Sequence, residues 1–117
     1  MNNRDELRKE FPNIRPGLED DLDWFNDGMR LLRKGKLKKA ERIFKQLTLS
    51  QPQHPDGLEG LARTYQAIGD RAKALIFIND AIEMTGKMIS AGDSDREVLV
   101  GMQELRKDIK RMSERRT

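Results

Sequence analysis

Cysteine is absent from the 117-residue chain, histidine occurs once, proline four times, and only six residues are aromatic. Without cysteine there is no disulfide framework, no thiolate nucleophile and no Cys-built zinc site, which permits a cytosolic setting. Few aromatics argue against a β-sandwich or barrel, whose strands draw on β-branched and aromatic residues throughout. Long apolar runs are missing too. The longest uncharged one, Ala74 to Ile78, falls far short of the roughly 20 residues that cross a bilayer. The first 20 residues hold Asp5, Glu6, Glu10, Glu19 and Asp20 and no leader-like apolar block. The expectation is a soluble, cytoplasmic chain with no membrane insertion.

Charge is plentiful. Charged residues make up 37% of the chain against 36% hydrophobic, and a typical globular protein has about 25% charged. A thick core is therefore excluded, and many solvated helices fit best. The length suits one small domain.

Apolar residues recur at three- and four-residue steps through Trp24, Gly28, Leu31 and Leu32, then through Leu37, Ala40, Ile43, Phe44 and Leu47. This is helical spacing. Gly35, between the two runs, can take the left-handed conformation that closes a helix and turns the chain back. The second run ends near Ser50, ahead of Pro52 and Pro55, which cannot donate backbone hydrogen bonds. The pattern then repeats: Leu58, Leu61, Ala62 and Tyr65, a turn at Gly69-Asp70, then Ala74, Ile78 and Ala81. A shift of 34 residues superimposes Trp24 on Leu58, Gly28 on Ala62, Leu31 on Tyr65, Gly35 on Gly69, Ala40 on Ala74, Phe44 on Ile78 and Leu47 on Ala81. Such a period is that of a helical repeat whose small residues let helices approach closely.

On these residues the chain resembles the tetratricopeptide repeat family. Trp24, Gly28, Leu31, Gly35, Ala40, Phe44 and Pro52 stand where that pattern wants W, G, Y, G, A, F and P, and the second unit follows with Leu58, Leu61, Ala62, Tyr65, Gly69, Ala74, Ile78 and Ala81. Two departures stand out. Asp27 replaces a usual Leu, and Gly86 falls where the repeat-closing Pro belongs, so the fourth helix should not lead into another standard repeat. The resemblance implies an all-α fold, a right-handed α-α superhelix of antiparallel hairpins. Its parts would be an N-terminal arm over residues 1–19, two units at 21–54 and 55–88 within 20–90, and a capping helix over 94–116.

Ser94-Asp95-Arg96-Glu97 reads as a capping box that starts the last helix. Its single stripe, Val98, Met102, Leu105, Ile109 and Met112, serves either to cap the array or, as an alternative, to form a dimer seam, which leaves a monomer or a weak homodimer. At the other end, Asn3 to Glu6 can cap a short helix through Phe11, broken over Pro12 to Gly17. Leu7, Phe11, Ile14 and Leu18 then either fold back onto the first unit or stay mobile.

Catalytic candidates are sparse, and the expectation is a non-enzymatic protein without cofactor or metal. His54, between two prolines, reads as a turn residue. Ser50, Ser90, Ser94 and Ser113 have no nucleophile motif around them, and Gly57, Gly60 and Gly69 lack the Lys-Ser/Thr continuation of a phosphate loop. Glu19, Asp20, Asp21, Asp23 and Asp27 complement a helix N-terminus and lack the alternation of a calcium loop.

Arg30, Arg33, Lys34, Lys36, Lys38, Lys39, Arg42 and Lys45 face only Glu41 in their window, a local net charge of +7 in a chain of +3. Arg106, Lys107, Lys110, Arg111, Arg115 and Arg116 form a second basic segment. The first of these supports an alternative in which nucleic acid or an acidic partner binds the basic hairpin, disfavoured for nucleic acid because no aromatic interleaving accompanies it. The resemblance implies instead a groove for a peptide or helix of a partner protein. Its lining would be Leu22, Phe25, Met29, Leu32 and Arg33 from the first unit, with Asp56, Glu59, Arg63, Gln66 and Ala67 from the second. Either a partner's apolar segment packs there or the arm with Phe11 and Ile14 covers it. The carboxylate-gripping subclass is set aside, since Phe25, Met29 and Gly60 stand where it needs Lys and Asn.

Overall fold

The chain is all-helical in a computed structural model, which describes residues 3–14, 16, 21–92 and 96–113, with the side chains of 3, 4, 21 and 22 left out. Among the described residues six helices follow one another: α1 (Asn3–Glu10), α2 (Asp21–Arg33), α3 (Leu37–Ser50), α4 (Asp56–Ile68), α5 (Arg71–Ser90) and α6 (Arg96–Arg111). Leu18, Glu19, Asp20, Ser94, Asp95, Arg115 and Arg116 lie outside the described residues, and so does the expected Ser94 cap.

The two hairpin turns are built alike. Gly35 and Gly69 have φ of 75° and 95°, the left-handed region where only glycine is free of Cβ strain. The amide of Lys36 donates to the carbonyl of Leu31 at 2.9 Å, and 34 residues later that of Asp70 donates to Tyr65 at 2.9 Å. Both are the six-residue closure of a Schellman motif, which satisfies carbonyls that the helix end leaves free. One difference follows from sequence: the Asp70 side chain accepts from the Lys73 amide at 3.0 Å, whereas Lys36 makes no side-chain cap.

Consecutive helices from α2 to α6 pack on one another; α2 also touches α4, and α1 lies on α3. Most positions matched by the 34-residue shift lie in the core. Ala40 and Ala74, Phe44 and Ile78, Leu47 and Ala81 are all buried, as are Gly28 and Ala62. Trp24 and Leu31 are only half-buried where their counterparts Leu58 and Tyr65 are buried, because α4 is flanked by α3 and α5 while α2 has α3 and part of α4.

The centre of this core is the Phe44 ring, fully buried between two glycines on different helices. A Cβ on Gly28 would stand 2.6 Å from the ring edge, and one on Gly60 would overlap the ring outright. Gly57, one turn earlier on α4, admits Thr48 in the same manner, for a Cβ there would meet the Thr48 amide nitrogen at 2.7 Å. Thr48 and Thr64 are buried without loss, since each hydroxyl donates to the carbonyl four residues back, Phe44 and Gly60, at 2.8 Å.

α5 runs straight through Gly86 to Ser90, so the missing proline lets this helix continue six residues beyond the length of α3. α6 then returns along it. Arg71 donates to the Lys110 carbonyl at 3.3 Å, Arg106 to Asn79 at 3.2 Å, and Thr85 to the Met102 sulfur at 3.3 Å, an antiparallel register. Met102, Leu105 and Ile109 are buried against α5, with Met112 half-buried beside them. The stripe that offered a dimer seam is thus largely occupied within the chain, with Val98 and Val100 left facing outward. No helix among the described residues is long and apolar enough to cross a membrane.

Two glycines separate conformational strain from space. Both Gly35 and Gly86 have nothing near a built Cβ, but only Gly35 has positive φ. Gly35→Ala is expected to cost about 1–2 kcal/mol. Gly86→Ala, mid-helix, is expected to add about 0.5–1 kcal/mol. Urea denaturation of both variants checks the opposite signs.

Candidate partner-binding face

Helices α2 and α4 sit side by side and carry the expected lining residues. Phe25 is half-buried, its ring centroid 6.1 Å from that of Phe44 and tilted by 60°. Met29 and Leu32, one turn and two turns further along α2, are half-buried against the same core. Arg33 is exposed at the end of α2, and Leu22 is described only in its backbone, in the first turn. On α4 the Arg63 guanidinium donates to the Glu59 carboxylate at 3.0 Å, and Gln66 is half-buried one turn on. That ion pair, 37% and 19% exposed, is worth about 0.3–0.5 kcal/mol as an i,i+4 helix pair. Phe25, Met29 and Leu32 are therefore a partly covered apolar strip and not an open patch; among the described residues the exposed large apolar side chains are Ile76, Val98 and Val100.

Helix α1 of the arm packs elsewhere. Leu7 and Phe11 are buried and Ile14 is half-buried, but α1 packs on α3. Of the two alternatives, folding back or a mobile arm, the described α1 takes the first, on the α3 side, and it is on α3 rather than on the α2–α4 face that α1 packs. The Arg42 guanidinium stands 5.3 Å over the Phe11 ring, Lys45 pairs with Glu10 at 3.0 Å, and the Arg8 guanidinium donates to the Ile14 carbonyl.

A polar cluster beneath α1 was missed by sequence reasoning. The Tyr65 hydroxyl on α4 donates to Glu41 on α3 at 2.5 Å, Glu41 pairs with Lys45 at 3.5 Å, and Lys45 reaches Glu10 of α1. The Tyr65 ring stacks on Phe77 of α5 with centroids 5.6 Å apart, and the Lys73 ammonium stands 5.3 Å over it. Four helices meet in this chain of contacts. Its one signal in the sequence was Glu41, the only acid in a run of eight cations. Burial, followed by the neighbouring Glu41 carboxylate, raises the Tyr65 phenol pKa well above its ordinary range.

The remaining candidates stay apart. His54 is an exposed loop residue, Ser50 is buried, and the Ser90 hydroxyl donates to the Gly86 carbonyl. Asp27 is exposed and pairs with Arg30 at 3.3 Å. Among the described residues no three His, Cys, Asp or Glu side chains gather in a metal-holding group. Comparison with known proteins returns no matching family model, no matching curated protein and no matching solved structure.

Tyr65 is the only tyrosine, so its titration is directly visible. Its folded pKa lies above that of the unfolded chain, so the stability it contributes is full below about pH 10 and declines as pH rises above that value. Phenolate absorbance is expected to appear only together with unfolding, and Tyr65→Phe to flatten the alkaline loss of stability. A phenolate that forms near pH 10 in the folded protein would contradict this assignment.

Proposed function

We propose that the chain is a non-enzymatic protein-interaction module, built from two tetratricopeptide-like hairpins and a capping helix, which holds a partner's peptide or helix on the α2–α4 face. The observation that carries this reading is the row Phe25, Met29 and Leu32, partly exposed on α2, with the Glu59–Arg63 pair on α4, the helix that α2 touches. The repeated Schellman turns and the small residues at matched buried positions support the repeat architecture.

Apolar burial supplies affinity and the ion pair supplies polarity and register. A fully exposed side chain of this size gains about 1.5–3 kcal/mol on burial. Here each is at most about a third exposed, so the three together offer no more than about 2–3 kcal/mol, and the apolar contacts alone fall short of millimolar affinity. Tight binding needs added polar contacts, which Arg33 and Gln66 are placed to make. The module is suited to transient association.

The nucleic-acid alternative draws on a basic hairpin that is partly neutralised within the chain, since Arg30 pairs with Asp27 and Lys45 with Glu10 and Glu41.

Phe25→Ala with Met29→Ala is expected to abolish capture of protein partners by the tagged chain while the helical circular dichroism persists. Unchanged capture sinks the assignment of this face.

A further inference from the structure

The seat of α1 holds more than α1 fills. Two cavities flank the helix, and Glu10 and Lys45 line both. The first, about 320 Å³, opens between α1 and α5, walled by Leu7, Ile76, Phe77 and Tyr65 and rimmed by Lys73 and Glu6. Ile76 is 44% exposed there, one of the few large apolar side chains that are, and the Lys73 ammonium has a ring beneath it but no carboxylate partner among the described residues. The second, about 380 Å³, is walled by Lys38, Lys39, Arg42 and Lys45 of α3, with Glu10 and Glu41. Lys38 and Lys39 make no ion pair among the described residues. α1 itself has only eight residues, too few to hold a helix in water without tertiary support.

What the α1 segment does place in the seat defines the chemistry accepted there: an apolar residue, a carboxylate three positions on and an aromatic next to it, Leu7, Glu10 and Phe11. These are the i, i+3 and i+4 anchors of a helix laid in a groove. We propose that the face of α3 and α5 around α1 is a second docking surface, for an acidic amphipathic helix of a partner protein, and that α1 is its tethered competitor. A partner helix that covers Ile76 and brings carboxylates to Lys73, Lys38 and Lys39 gains contacts that α1 leaves unmade. Nucleic acid fits less well, because Tyr65 and Phe77 are stacked on each other and offer no open platform for bases. This surface is distinct from the α2–α4 face, and either can fail without the other.

The test uses a fluorescein-labelled, end-blocked peptide of residues 3–14 made acidic by Arg8→Glu and Lys9→Glu, titrated against the full chain and against the full chain with Leu7→Asp and Phe11→Asp. The tethered helix competes at an effective concentration on the order of millimolar, so the peptide is expected to bind the unseated variant at least about tenfold more tightly than the wild type. Added Lys45→Glu is expected to abolish that binding, and Phe25→Ala with Met29→Ala to leave it unchanged. Equal affinity for both chains, or indifference to Lys45→Glu, overturns the proposal. Should the unseated variant fail to fold, excess peptide is expected to accelerate amide exchange of residues 5–11 in the wild type and not that of α4; no acceleration overturns it as well. Displacement of α1 by an oligonucleotide but not by the peptide assigns the surface to nucleic acid instead. A wild-type dimer in sedimentation, dissolved by Leu7→Asp with Phe11→Asp, assigns it to α1 exchanged between copies.

Discussion

The fold turns on one aromatic ring held between two glycines. Phe44 projects from α3 into the space that Gly28 leaves on α2 and Gly60 leaves on α4, and no side chain larger than hydrogen fits at either place without displacing the ring. A chain this rich in charge has few apolar side chains to distribute, so its helices must come close for each contact to count. Glycine at the crossing brings the α2 and α4 backbones against the ring, and the neighbouring approach of Gly57 to Thr48 extends that closeness along α4. The same crossing sets α2 beside α4 and thereby fixes the spacing of the candidate binding residues. Phe25 rests on the Phe44 ring, so the proposed anchor and the core share one support.

Around that crossing the chain repeats itself. Left-handed glycines end α2 and α4 with the same pattern of hydrogen bonds, and Ala40 and Ala74 are buried at matched positions on α3 and α5. The two ends break the repetition. α5 overruns the expected stop because Gly86 offers no proline break, and α6 returns along it from Met102 against Thr85 to Lys110 beside Arg71, burying Met102, Leu105 and Ile109 while charged residues, Val98 and Val100 face outward.

Much of this was legible in the sequence because it is local. Helix spacing, the Gly35 and Gly69 turns, the Pro52 and Pro55 loop and the burial of Ala40, Phe44, Ala62 and Ile78 all follow from residues within a turn or a repeat of each other. The positions of Phe25, Met29 and Leu32 on one strip were legible too, but not their degree of cover, which depends on how deeply Phe44 enters between the helices. The seat of α1 and the Tyr65–Glu41–Lys45–Glu10 chain were not legible. Those contacts join residues 24 and 35 positions apart, and neither periodicity nor propensity encodes which face a short terminal helix selects. Glu41 read as a lone acid in a basic run; its role became visible only when α4 brought a phenol to it.

The glycine crossing is tested most directly by a double-mutant cycle in chemical denaturation, with Gly60→Ala and Phe44→Leu measured singly and together. If the ring and the missing Cβ compete for one space, Gly60→Ala costs about 1–3 kcal/mol in the presence of Phe44 and clearly less once Phe44→Leu has removed the ring, so the double variant is more stable than the sum of the two losses. Additive losses would contradict the account, for they would mean that Phe44 and Gly60 act independently.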